Sequence, residues 1–386
     1  VSLERLGYFK DVNVETLPVV GTEDQIDIVY SVEEETTGSV GGNLGYSDFG
    51  LMLGFNLQEQ NFLGSGNTVG IGINKNIYSE SYNISFVDPY ATEDGVSLGY
   101  NIYFRETDYG EFNVANYLTN SNGLGAQFGY PISDITRLGF SLTYDKTDID
   151  IGTLPAREIY DFVAAEGNLF ETLSAQASWQ RVTLNRGLFP TSGSSTVLSL
   201  SATIPGSDLN YYRANIRQRY YRPLSNNFVF GFQGELGYLN AYGDTEETPF
   251  FQNFYAGGPR SLRGFESNTL GPRSTDAPCY EFNYEEETCP NLIDTDGDGV
   301  LDSPYINPYA NTTSRYRDRP IGGNIKIEGS LQLIFKLPII EDQRSIRSAF
   351  FLDFGNVFSD NCRDYQINCY KPCLLYTSPS PRDTAI

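Results

Sequence analysis

Apolar and polar residues alternate along most of this chain, from about residue 36 onward. In segment 324–337 every second residue is apolar or glycine, and the residues between them are polar or charged, with Ile334 as the exception. The same period of two covers segment 97–104, where Leu, Tyr, Ile and Phe share one face. Because successive side chains of a β-strand point to opposite faces, this pattern predicts strands with one apolar and one polar face.

The alternation predicts thirteen such strands. They lie near residues 38–46, 50–58, 67–78, 81–88, 95–106, 123–131, 135–146, 172–184, 195–204, 210–222, 227–239, 323–337 and 346–358. Short turns, as at 65–67 and 131–134, alternate with longer loops, as at 147–170 and 243–322. This arrangement is typical of outer-membrane barrels. We therefore predict an all-β fold, an antiparallel transmembrane β-barrel over residues 36–360, with 243–322 as a long extracellular loop.

Two other all-β architectures would also contain many short strands. A β-propeller or a solenoid has a fixed repeat length, and none is visible here. A water-soluble barrel would place its apolar side chains inside, and alternation alone does not distinguish inside from outside. Gly, Ser, Asn and Arg are dense on the polar faces, with Leu, Ile, Phe and Tyr opposite them. This distribution favours a wet interior and a lipid-facing exterior.

Composition excludes several other classes of protein. Hydrophobic residues make up 40% of the chain and no apolar run reaches the length of a transmembrane helix. The net charge of -23 argues against nucleic-acid binding, which needs clustered positive charge. Histidine is absent, which excludes a histidine-centred catalytic triad and a histidine zinc site. We expect a protein that is not an enzyme.

The predicted loop 243–322 contains the most distinctive motif of the chain. Residues 254–265 read Phe-Tyr-Ala-Gly-Gly-Pro-Arg-Ser-Leu-Arg-Gly-Phe and continue into Ser-Asn-Thr-Leu-Gly-Pro at 267–272. This stretch resembles the Arg-Gly-Phe/Tyr loop motif of the Omp85 family, and the extension favours the assembly member of that family. The resemblance implies a loop that folds back into the barrel lumen. The motif residues are Leu262, Arg263, Gly264 and Phe265.

The resemblance also implies partners for Arg263 on the inner wall of the barrel. Asp353 lies in a strand that resembles the family strand whose aspartate holds the motif arginine. The family often places a glutamate on the preceding strand as a second partner. That position holds Gln332 here, and Glu328 shares its face. We expect a charge-assisted Arg–Asp pair that fixes the loop. Arg213, Arg217 and Arg219 are predicted to face the lumen, either to pair with Glu235 or to balance interior charge.

Residues 1–35 differ from the rest of the chain. Segment 3–9 reads as a helix end with Gly7 as its cap, and two strands follow, the second at 25–32. This region resembles the C-terminal part of a POTRA domain, the small α+β periplasmic module that precedes the barrel in this family. No signal peptide is recognised, and we expect a fragment of a longer mature protein.

For the whole protein the resemblance implies the central subunit of the machinery that folds and inserts β-barrel proteins into the outer membrane of Gram-negative bacteria. Its partners would be nascent outer-membrane proteins, the lipid bilayer, and accessory assembly lipoproteins bound through POTRA domains. The first barrel strand would form a lateral seam, weakened by Gly38, Gly41, Gly42 and Gly45. The alternative is that these glycines serve barrel curvature. Alternative functions are a translocation-assembly protein, a two-partner secretion pore or a passive porin.

The long loop holds two further candidate sites. Asp294, Asp296, Asp298 and Asp302 have the spacing of the front half of a calcium loop, although Tyr305 replaces the glutamate that closes an EF-hand. A structural calcium ion is therefore a candidate, no other cofactor is expected, and the alternative is a solvated acidic loop. Cys279 and Cys289 flank this segment, and an oxidising compartment favours a disulfide between them.

The pattern breaks near the end of the chain. Alternation stops after Val357, and Pro379 and Pro381 are incompatible with a spanning strand. Residues 361–386 are interpreted as a non-native or disordered tail, similar to translated sequencing-adapter sequence. The barrel would then be truncated, with about 13 of the sixteen strands that the resemblance implies, and would expose open strand edges.

Overall fold

The computed structural model describes residues 9–18, 21, 25–34, 36–47, 50–110, 114, 117–151, 155–274, 319–336, 347–361 and 363. Within these ranges the chain forms fifteen strands and one α-helix. The strands are β1 (Phe9–Pro18), β2 (Ile26–Glu34), β3 (Gly38–Ser47), β4 (Gly50–Glu59), β5 (Thr68–Lys75), β6 (Ser79–Asp88), β7 (Ser97–Asp108), β8 (Leu118–Ser133), β9 (Thr136–Asp150), β10 (Leu169–Val182), β11 (Gly193–Thr203), β12 (Tyr211–Pro223), β13 (Phe228–Ala241), β14 (Ile325–Phe335) and β15 (Ser348–Phe358). The helix is α1 (Arg157–Glu166).

Strands β3 to β15 form a single thirteen-stranded sheet in which each strand pairs with its neighbours in the chain. Every pairing described is antiparallel, as in β14–β15, where Ser330 lies opposite Asp353. The predicted all-β antiparallel fold is confirmed, with a strand at each of the thirteen predicted positions. The sheet ends at β3 and β15, and in the described part of the chain these two strands do not pair with each other.

Strands β1 and β2 pair only with each other among the described strands and form a second, two-stranded sheet. The second strand falls where the sequence predicted it. The predicted helix end at 3–9 lies almost wholly outside the described residues, so the assignment of 1–35 to a partial POTRA domain stays a prediction. No helix in the described ranges has both the length and the apolar character that crossing a membrane requires.

The apolar face of the large sheet is more exposed than its polar face, which is the reverse of the arrangement in a water-soluble protein. Leu352 is 63% exposed and Leu236 is 51% exposed. The charged side chains of Lys326 and Glu328, on the other face, are 12% and 13% exposed. Charged residues are seldom buried unless they are paired, and leucine is usually buried. The apolar face therefore points outward, as in a barrel whose solvent is lipid.

Two local predictions were wrong. The segment 147–170 is not a plain loop, because β9 extends to Asp150 and α1 follows. This short helix buries Ile159 and Phe162, a spacing of three that a search for alternation overlooks. The turn at 131–134 is also shorter, because β8 continues through Ser133 and β9 begins at Thr136, with two residues between them.

A buried aromatic cluster joins the loops at one end of the sheet. The ring of Phe250, from the long loop, lies 4.8 Å from that of Tyr117 and 5.4 Å from that of Phe162, measured between centroids. Phe170 of β10 and Ile321, just before β14, belong to the same cluster. Contacts among segments from β8 to β14 require the sheet to curl, with its polar face inside. The described parts of the long loop therefore cross the concave side of the sheet.

Candidate functional site

The described parts of the long loop, 243–274 and 319–322, run along the inner wall beside β13 and β14. The backbone N–H of Phe254 donates to the carbonyl of Gly323 (2.8 Å), and the N–H of Gly323 donates back (3.1 Å). The ring of Phe254 lies over Gly237 of β13, where a Cβ atom would come within 2.6 Å of the ring. The guanidinium of Arg213 covers the same ring at 4.1 Å from its centroid. A glycine in the wall thus makes room for a loop aromatic.

A tight turn then presents the motif. Gly257 and Gly258 have φ values of 108° and 100°, in the region that favours glycine. The N–H of Gly258 donates to the carbonyl of Leu262 at 3.2 Å and closes the turn. The side chain of Leu262 is buried in a cluster with Leu239 and Val357. Leu262, the residue just before Arg263, therefore holds the turn against the wall by apolar packing.

Among the described residues of the loop, Arg263 makes the densest set of polar contacts. Its Nε donates to Oδ2 of Asp353 at 2.7 Å, and its Nη2 donates to Oδ1 at 2.5 Å. The backbone N–H of Arg263 donates to Oδ2 as well, at 3.0 Å. Its Nη2 also donates to Oγ of Ser330 at 2.7 Å, and the guanidinium carbon lies 3.4 Å from the centroid of the Phe351 ring. We call this set of contacts the arginine anchor.

The geometry of the arginine anchor is that of a strong ion pair. The Asp353 side chain is 7% exposed and that of Arg263 is 30% exposed, so little water competes for the charges. Two parallel N–H···O bonds from one guanidinium to one carboxylate fix orientation as well as distance. Because Ser330 and Asp353 are directly opposite in the β14–β15 register, a single guanidinium bridges both strands. This arrangement holds a loop against a wall.

The expected second partners of Arg263 bind other groups. Oε2 of Glu328 accepts from the hydroxyl of Ser261 at 2.6 Å. Gln332 donates weakly to Ser330 (3.4 Å) and accepts from Arg347 (3.4 Å). The direct contact of Arg263 on β14 is Ser330, which lies between these two residues on the same face. The sequence identified the correct face but not the position along the strand, since side chains two residues apart on a strand are equally polar candidates here.

The remaining motif residues and inner-face arginines are placed as follows. Gly264 has a φ of 93°, and Phe265 packs against the cluster that contains Leu262. Arg217 forms an ion pair with Glu235 at 3.3 Å. Arg213 instead donates to the carbonyl of Gln252 at 3.4 Å and covers Phe254. The inner face therefore supplies both charge pairs and contacts to the loop.

The glycines of the expected seam all lie in β3. This strand pairs with β4, so Gly42 stands opposite Phe55. Tyr46 is 85% exposed, and a Cβ atom at Gly41 would have no atom within 4 Å. The edge strand is thus thinly packed.

The predicted calcium ligands and the predicted disulfide lie outside the described residues and stay predictions. The calcium ligands are Asp294, Asp296, Asp298 and Asp302, and the disulfide joins Cys279 to Cys289.

Sequence reasoning missed three participants in this site: Ser261, Ser330 and Phe351. Ser330 and Phe351 could have been found, because strand alternation puts them on the same faces as Glu328 and Asp353. Ser261 gave no signal, since a loop serine is compatible with many environments.

Comparison with known proteins agrees with this structure. Residues 61–369 match the Omp85 superfamily domain. The chain is 30% identical over 373 residues to the outer membrane protein assembly factor BamA of Neisseria meningitidis serogroup B, over 94% of this chain and 42% of that protein. It is 24% identical over 281 residues to the sorting and assembly machinery component 50 homolog of Mus musculus, over 70% of this chain and 57% of that protein. The chain thus spans about two fifths of the meningococcal relative.

Solved structures give the same result. BamA from Haemophilus ducreyi lacking POTRA domains 1-3 matches with a TM-score of 0.75 and 30% identity, over 93% of this chain and 64% of that one. CdiB from Escherichia coli shares the fold, with a TM-score of 0.52 and 12% identity over 94% of this chain and 60% of that one. The bacterial relatives confirm the predicted location in the outer membrane of a Gram-negative bacterium. Because the superfamily domain covers well over half of its length, the chain belongs to the Omp85 superfamily.

Proposed function

We propose that the protein that includes this chain folds β-barrel proteins and inserts them into the outer membrane. The observation that carries the proposal is the arginine anchor, which fixes an inward-folded loop inside a sheet whose apolar face points outward. The likeness to two bacterial assembly factors at 30% identity supports the same conclusion. The anchored loop keeps the inner wall rigid, so that opening is confined to the thinly packed edge.

The proposed mechanism uses strand pairing and no covalent chemistry. The unpaired backbone groups of an edge strand form a template onto which an incoming strand adds. Such groups cost several kcal/mol each in hydrocarbon, which favours pairing with a client strand over exposure to lipid. Gly41 and Gly42 weaken the packing of β3 and ease its exchange between partners. The protein would act without being an enzyme and without a required cofactor, and calcium in the long loop would be structural.

The proposed partners follow from this mechanism. Nascent outer-membrane proteins are the clients, and the bilayer is the medium that receives them. Accessory assembly lipoproteins would bind through POTRA domains, of which residues 1–35 would be the last part. These partners belong to the whole protein and are proposed for it.

A paired measurement tests the function. The protein encoded by the complete gene is reconstituted in liposomes and supplied with an unfolded outer-membrane barrel protein. Faster appearance of folded, protease-resistant client than in empty liposomes is expected, together with slow swelling of the liposomes in osmotically active sugars. Rapid swelling without client folding would indicate a passive pore and would overturn the proposal. Transport of an added exoprotein without client folding would indicate a secretion pore instead.

A further inference from the structure

A second contact joins the motif turn to the wall, two residues before Arg263. The hydroxyl of Ser261 donates to Oε2 of Glu328 at 2.6 Å. The Oγ atom of Ser261 in turn accepts from the backbone N–H of Gly257 at 3.2 Å. Ser261 therefore closes the turn internally and attaches it to β14 at once.

Glu328 is part of a row of charges that continues away from the loop. Its Oε2 lies 3.3 Å from Nζ of Lys326, which lies 3.6 Å from Oε2 of Glu235. Oε1 of Glu235 accepts from Arg217 at 3.3 Å and from Asn215 at 2.7 Å. The row therefore runs from the loop over β14 and β13 to β12.

Burial makes this row costly to disturb. The side chains of Lys326, Glu235 and Glu328 are 12%, 15% and 13% exposed. A buried charge is tolerated when its partners stay in place, and removal of one partner leaves the others uncompensated. The position of Glu328 is therefore determined by the wall, and the loop hydroxyl binds to an acceptor that is already fixed.

We propose that the Ser261–Glu328 contact, here called the serine anchor, is a second positioning element of the motif turn that acts separately from the arginine anchor. The two anchors hold different parts of the turn through different side chains of the wall. Asp353 of β15, with Ser330 of β14, holds Arg263, whereas Glu328 and the charges of β12 to β14 hold residues 257–261. Loss of the serine anchor should loosen the glycine turn and leave Arg263 engaged.

Hydrogen–deuterium exchange resolved at single amides can separate the two anchors. The Gly258 amide donates to Leu262 inside the turn, and the Arg263 amide donates to Asp353. In Glu328→Ala we expect the Gly257 and Gly258 amides to exchange about tenfold faster, since a hydrogen bond to a charged group is lost. The Arg263 amide should change by less than about twofold. Asp353→Asn should give the opposite pattern.

Four further variants exclude a merely structural explanation. Ser261→Ala should accelerate exchange at Gly257, and adding Glu328→Ala to it should add little at that amide, because both changes remove the same contact between the turn and the wall. Ser261→Thr retains the hydroxyl and should restore slow exchange. Glu266→Gln removes an exposed carboxylate of the same loop and should change nothing.

The existence of the serine anchor does not depend on client assembly, and only its effect on assembly depends on the proposed function. The measurement uses the intact protein in lipid nanodiscs and needs no client. Unchanged exchange at Gly257 and Gly258 in Glu328→Ala would overturn the proposal. So would equal acceleration at Arg263, which would show that the turn is held as one unit. Either result would leave the proposed function untouched, and failure of client folding would leave the anchor untouched.

Discussion

Replacement of Arg263 by alanine tests the arginine anchor directly. The change removes three side-chain hydrogen bonds, two to Asp353 and one to Ser330, and the stacking on Phe351. It leaves Asp353, only 7% exposed, without its counter-ion. Breaking a buried ion pair in this way costs about 3–5 kcal/mol. The backbone N–H of residue 263 still donates to Asp353, and the arginine is 30% exposed, so we expect about 3 kcal/mol.

A loss of about 3 kcal/mol corresponds to roughly a hundredfold change in an equilibrium constant. Arg263→Lys keeps the charge but loses the planar fork, and its expected cost is about 1–2 kcal/mol. Adding Asp353→Ala to Arg263→Ala should cost less than the sum of the single changes, because the unpaired buried carboxylate is removed. Non-additivity of this kind shows that the lost stability comes from a broken ion pair and not from the lost volume of the side chains.

The assay is equilibrium unfolding in urea in lipid vesicles, followed by the fluorescence of Trp179. It is the only tryptophan of the chain and lies in β10, whereas the anchor is on β14 and β15, so that its signal reports unfolding at a distance from the substitution. Client folding is measured on the same preparations. If Arg263→Ala unfolds within about 0.5 kcal/mol of the unaltered protein, and the lysine variant is no different, the anchor does not stabilise the barrel.

Three further predictions concern other parts of the molecule. Gly237→Leu should push the ring of Phe254 from the wall and lower the unfolding free energy by about 1–3 kcal/mol. The double variant with Phe254→Ala should recover part of that loss. An unchanged urea midpoint in Gly237→Leu would contradict the close approach of the ring to Gly237. Gly41→Val places a side chain where no atom lies within 4 Å, so strand β3 should stiffen without a clash. The rate of client folding should fall while the unfolding free energy is unchanged. An unaltered rate of client folding would show that β3 takes no part in the mechanism. Calorimetry should show heat on addition of millimolar calcium, and Asp296→Asn with Asp298→Asn should abolish it; no heat in the unaltered protein would reject the calcium loop.

The sequence alone determined the strands of this protein. Each barrel strand has one side toward lipid and one toward a polar interior, so its residues must alternate, and the alternation marks each of the thirteen strands in the described part of the sheet. The same alternation predicted that Asp353 and Glu328 lie on the inner face. The resemblance of the loop motif then singled out Arg263 and Asp353 as partners, and these two residues are in contact.

Only the tertiary structure decided which residues of those faces meet the loop. Alternation places every second residue on the same face, so it does not show whether Ser330, Glu328 or Gln332 is the partner of Arg263. That choice depends on the register of β14 against β15 and on how far the loop enters the lumen. The depth of entry is set by close approaches such as the ring of Phe254 over Gly237. Such contacts join residues far apart in the chain, and local pattern carries no information about them.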